Sequence, residues 1–129
     1  MSIETITVIP YKLFHHKVKP AFILREILLE MESFWNDKSN LGDSVNTLWD
    51  FRGVEFPMVS FDIVEHIGMD IKRIAKNIKP GKSALLIDDV AEKHLASFLL
   101  ETLQNIANRD VSLFHDLQQA ETYLDYNED

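Results

Sequence analysis

The 129-residue chain contains no cysteine. That absence removes disulfide frameworks, thiolate metal sites and cysteine nucleophiles together, and it fits a reducing compartment. Glycine is scarce, with four residues at positions 42, 53, 68 and 81. Their spacing makes neither a dinucleotide-binding fingerprint nor a phosphate-cradling loop. No apolar run approaches the roughly 18 residues of a membrane-spanning helix, and the start, MSIETITVIPYK, lacks the basic and apolar regions of a secretory signal. The chain therefore reads as cytoplasmic, without membrane insertion. Positive charge is also short: 13 Lys and Arg face 21 Asp and Glu, for a formal net charge of −8. Nucleic acid phosphates and anionic headgroups would be repelled, so nucleic acid is not an expected partner.

What is present suits one globular domain over residues 1–129, with 46% apolar and 26% charged residues. Residues 3–9 (IETITVI) and 12–18 (KLFHHKV) are rich in β-branched and aromatic types, and Pro10-Tyr11 between them suits a tight turn, so they predict a hairpin. Pro20 opens a helix over about 20–35, in which Ile23, Ile27, Met31 and Trp35 recur at helical spacing. The polar stretch 36–44 reads as a loop and 45–51 as the third strand. Ser60 suits the N-cap of a second helix whose apolar stripe is Ile63, Val64, Ile67, Ile71, Ile74 and Ile78, and Pro80-Gly81 ends it. A buried strand at 83–88, a helix at about 90–107, a strand at 111–115 and a helix at about 117–126 complete the order ββαβαβαβα. This pattern predicts an α/β fold: a mixed, mainly parallel sheet of about five strands with four helices.

The segment LWDFRGVEFPMVS running into an amphipathic helix, together with VSLFHDLQQAETYL near the end, resembles the STAS domain of sulphate transporters and anti-sigma-factor antagonists. The similarity is to small single-domain bacterial members without an assigned role. In regulatory members of that family an Asp-Ser-Ser-Gly sequence opens the helix after the third strand, and a partner kinase phosphorylates a serine there. Laid on this chain, the pattern puts Ser60 at the modifiable position. Met58, Val59 and Phe61 stand where the family has Asp, Ser and Gly. The resemblance thus implies Ser60 as a candidate phosphosite, and a phosphate at a helix N-terminus is favoured by the free N–H groups there.

Parallel strands bring their carboxyl ends to one edge of the sheet, where open α/β proteins usually place ligands. That edge collects the ligand-binding candidates Asp50, Arg52, Asp88, Asp89, His115 and Asp116. Each also has a structural reading: Asp88 or Asp89 can cap the third helix, Asp116 the fourth, and Asp50 can pair with Arg52. The acidic pair in ALLIDDVAE follows the fourth strand, not the first, which separates it from two-component receiver domains. Asp62 and His66 are spaced for a shared metal on a helix, but with Glu65 and Asp70 they also make an ordinary solvated face. His15 and His16, adjacent on a strand, must point to opposite faces. No serine sits in a nucleophile motif, and neither a cofactor nor a metal is implied. These residues point first to a non-catalytic regulatory or binding module that contacts a protein partner or holds a small apolar ligand. Val90 and Leu100, off the inward stripe of the third helix, suggest a homodimer surface. The second reading is a small metal-dependent enzyme using Asp50, Asp88 and Asp89.

Overall fold

The computed structural model describes residues 2–20, 24–54, 61–88, 104–105 and 109–125. Strands β1 (Ile3–Ile9) and β2 (Tyr11–Val18) pair antiparallel. Their connection is tight because Tyr11 takes the left-handed region at φ 69, a conformation turns favour. Helix α1 runs from Leu24 to Asn36 and is followed by a single 3-10 turn, Lys38–Asn40.

Strand β3 spans Leu41–Asp50 and begins four residues before the expected 45. The reason lies in pairing. Tyr11 sits opposite Leu41 and Leu13 opposite Asn46, so β3 carries extra residues against β2 at this point. Gly42, Asp43 and Ser44 read as turn residues because they form that irregularity, while Leu41 beyond them is buried and bonded into the sheet. Helix α2 (Phe61–Ala75), β4 (Lys82–Leu86), β5 (Asp110–Phe114) and α3 (Leu117–Leu124) follow. The helix expected over 90–107 lies outside the described residues except for Gln104 and Asn105, both helical. Three helices are thus bounded among the described residues.

The sheet order is β1-β2-β3-β4-β5, with every pair after the hairpin parallel. Alternation along the strands divides the core in two. Trp49, Leu85 and Ile87 pack with Ile27 of α1 and Ile67 and Ile71 of α2. Leu13, Leu48, Ala84 and Leu86 pack with Ala120 and Leu124 of α3 on the other face. The apolar run in β4 is explained by this arrangement, since Ala84, Leu85 and Leu86 are all buried under one helical layer or the other. Of the expected stripe on α2, Ile67, Ile71 and Ile74 are buried, whereas the side chains of Ile63 and Val64 lie outside those described.

The amino ends of the strands are tied by Arg109, which is 4% exposed. Its guanidinium donates to the carbonyls of Val45 (2.8 Å), Lys82 (3.0 Å) and Lys79, and to Ser83 Oγ (3.1 Å). Its flat face lies 5.2 Å from the Trp35 ring. Ser83 Oγ is also 2.8 Å from Thr47 Oγ1, so a buried polar chain links β3 and β4 to the residue just before β5. Gly81 makes this possible: a Cβ there would stand 2.1 Å from the Val45 carbonyl oxygen. Among the described residues no helix is long and apolar enough to cross a membrane.

Candidate functional site

The carboxyl edge of the sheet brings several of the expected residues together and then uses them up. Asp50 ends β3 with its side chain 3% exposed. Arg52 grips it from two residues on, Nε to Oδ1 at 3.0 Å and Nη2 to Oδ2 at 2.9 Å, and the Arg52 backbone N–H donates to Oδ1 at 3.1 Å. His15 Nε2, reaching across from β2, is 3.4 Å from Oδ2. Burial alone would raise the Asp50 carboxyl, but His15 and Arg52 outweigh it and hold the group below the usual carboxylate range. The same hydrogen bonding raises the Arg52 guanidinium, helped by the charges of Asp88 and Glu121.

Asp88 Oδ2 accepts from the Gly53 N–H at 2.7 Å and fastens the turn after β3 to the end of β4; the start of the helix it was expected to cap lies outside the described residues. His115 Nδ1–H donates to the Ile87 carbonyl at 3.2 Å. Asp116 caps α3, its Oδ1 accepting from Gln119 N at 3.2 Å. Asp89 and Ser60 lie outside the described residues. On α2, Glu65 and His66 are exposed, Asp70 pairs with Arg73, and the Asp62 side chain is outside those described. Among the described residues no three His, Asp or Glu side chains gather into a metal-binding group.

A second site lies on the opposite face of the sheet, between the hairpin and α1. Thr5, Thr7, Phe14 and His16 of the hairpin and Glu30, Met31 and Phe34 of α1 enclose, with Trp49, a groove of about 670 Å³. That is within the usual size of small-molecule sites. His15 and His16 do point to opposite faces: His15 meets Asp50, and His16 enters this groove. The His16 ring stands edge-on to Phe34 at 4.6 Å and 4.5 Å from Trp49. Burial, then the charges of His15 and Arg109, hold its pKa down to about 3, so the ring is neutral. His16 Nδ1 is 2.8 Å from Thr5 Oγ1, while Nε2 is closed off from water without a partner. Glu30 repeats the pattern: Oε2 accepts from the Ser2 N–H at 3.2 Å, and Oε1 is buried and unpaired. An unmatched buried polar atom costs about 1–3 kcal/mol.

Neither His16 nor Glu30 was among the candidates read from the sequence. The available signal was weak: strand alternation separates His15 from His16, but only the position of α1 over the sheet tells which of them is enclosed. No protein-family model, curated protein or solved structure significantly matches the chain.

Proposed function

We propose that the chain is a non-catalytic, STAS-like binding module whose small-molecule site is the groove between the hairpin and α1. The observation that carries this reading is the groove itself, about 670 Å³ and walled by Phe14, Met31, Phe34 and Trp49. A small ligand with an apolar body would suit those walls. The carboxylates at the other edge support the same reading from the opposite side. Asp50 is already bonded to Arg52 and Asp116 to its helix, so a metal-dependent enzyme at that edge is the weaker alternative. The hairpin followed by parallel strands in sequence order is in keeping with the STAS resemblance. Partner contact has its natural surface along β1, an edge strand on which Ile6 is 45% exposed.

The test uses N-phenyl-1-naphthylamine, an apolar fluorophore uncharged at neutral pH. Saturable enhancement with the wild-type chain, lost in Thr7→Trp, is the expected result; Thr7 is an exposed strand position that lines the groove and accepts an aromatic side chain. A flat titration, or an enhancement indifferent to Thr7→Trp, removes the groove as a ligand site. Light scattering over a dilution series addresses β1 separately, and a strict monomer at high concentration removes self-association.

A further inference from the structure

We propose that β1 is a self-recognition edge, on which a second copy of this chain docks its own β1 antiparallel about a two-fold axis at Ile6. The inference rests on the reading of β1 as a contact surface and names the occupant.

The middle of the strand is open. Among the described strands β1 is outermost, and Glu4, Thr5, Ile6 and Thr7 are all exposed. The Lys19 N–H donates to the Ser2 carbonyl at 2.9 Å, which marks these two as a hydrogen-bonded pair. Alternation along the register then turns the backbone groups of Glu4 and Ile6 toward β2 and those of Thr5 and Thr7 outward. The opposite edge differs, because the Val111 carbonyl of β5 accepts from Gln104 Nε2 at 2.9 Å. β1 also lacks the usual guards of an edge: IETITVI holds neither lysine nor proline, and its irregularity lies between Thr7 and Ile9, beyond the central residues.

The sequence points to a second copy as the occupant. IETITVI is a palindrome about Ile6 except at Glu4 and Val8. Antiparallel pairing centred on Ile6 therefore sets Thr5 opposite Thr7 of the second copy, a favourable cross-strand match made twice. These threonines carry the outward backbone groups, so they exchange hydrogen bonds, while the two Ile6 side chains meet in the closer pair between them. Charge agrees with this register. Glu4, the only charged residue of β1, faces Lys17 across the hairpin and comes opposite Val8 of the second copy. Parallel pairing in register would instead set Glu4 against Glu4, and two chains of net charge −8 already repel. The contact is isologous and closes at two copies.

Because the chain has no cysteine, Ile6→Cys supplies a single thiol for cross-linking. At the axis the two Cα atoms fall near the separation a disulfide needs, so mild oxidation should link this variant roughly tenfold or more faster than Met69→Cys, a still more exposed position on α2. Light scattering from micromolar to millimolar chain should show a wild-type dimer that Ile6→Lys weakens roughly tenfold or more, by setting like charges opposite each other. Thr7→Pro removes an outward N–H and no hairpin bond, so it should weaken the dimer too and is read if Ile6→Lys fails to fold. Equal cross-linking of the two cysteine variants, a strict wild-type monomer, or a dimer indifferent to the β1 substitutions overturns the proposal. Amide exchange by NMR separates that failure from the failure of β1 as a contact surface. The Thr5 and Thr7 amides should exchange quickly in dilute chain and slowly as concentration rises; slow exchange at every concentration shows the edge already closed and overturns both readings, whereas fast exchange at every concentration overturns the second copy alone.

Discussion

Arg52 holds both carboxylate oxygens of Asp50, at 3.0 and 2.9 Å, from a position two residues further along the same chain. The strand end is thereby locked by its own sequence, with His15 completing the contact from β2. Replacing Asp50 by Asn should cost about 2–3 kcal/mol, the scale of hydrogen bonds to charged groups. Arg52→Ala should cost less, about 1 kcal/mol, because the Arg52 side chain is 43% exposed and water screens the loss. Urea midpoints at neutral pH measure both. The Asp50 carboxyl is held below its ordinary value, so its contribution is complete above pH 3.8 and falls away as pH drops below that value. Arg52→Ala should flatten this acid limb, and an unchanged limb would show that the pair is not its source.

His16 should dominate a different window. Its folded pKa of about 3 lies below the ordinary 6.5, so the unfolded chain takes up the proton first as pH falls. Stability is then complete above pH 6.5 and declines by about 1.4 kcal/mol per pH unit below it, until the folded state also protonates near pH 3. His16→Phe, placed among Phe34 and Trp49, should remove this slope between pH 6 and about 4. Denaturant titrations at several pH values check it, and an equal slope in the variant would assign the proton elsewhere.

Arg109 should be the most sensitive position toward the amino ends of the strands. Arg109→Met leaves the Val45, Lys79 and Lys82 carbonyls without their shared donor and should destabilise by about 3 kcal/mol or more, at about 1–3 kcal/mol for each unsatisfied buried group. Arg109→Lys should rescue little of this, since one ammonium cannot reproduce a planar fork that serves four acceptors. Chemical denaturation of both variants distinguishes the fork from the charge alone.

The two strained glycines should respond unequally to alanine. Gly53 sits at φ 77 with open space around a would-be Cβ, so Gly53→Ala should cost only the left-handed penalty of about 1–2 kcal/mol. At Gly81 the new methyl meets the Val45 carbonyl oxygen at 2.1 Å, and a loss of roughly 3 kcal/mol or more is expected. That oxygen is also an Arg109 acceptor, so Gly81→Ala and Arg109→Met together should cost less than their sum. Thermal melts of the single and double variants provide the cycle.

These relationships explain which features the sequence disclosed. Five strands were legible because IETITVI, KLFHHKV and the ALL of β4 carry β-branched or continuous apolar residues that few other settings favour. Asp116 as a helix cap was legible for the same local reason. Leu41 was not, because its strand character comes from pairing with Tyr11, thirty positions away, across an irregularity that reads as a turn. Arg109 was equally hidden: it looks like a loop charge, and only the assembled sheet brings the carbonyls of residues 45, 79 and 82 around it. The groove depends on where α1 settles over the hairpin, a tertiary outcome that no spacing in either segment encodes.

Because the strand order follows the sequence, every strand after the first adds beside the one made immediately before it. No strand has to wait for a later segment to be inserted between itself and its predecessor, which keeps loop-closure costs to a single connection at each step. The hairpin, with its short turn, is the cheapest of these steps and comes first. During synthesis on the ribosome the sheet could therefore grow from one edge as the chain emerges, with each new strand meeting a partner already in place.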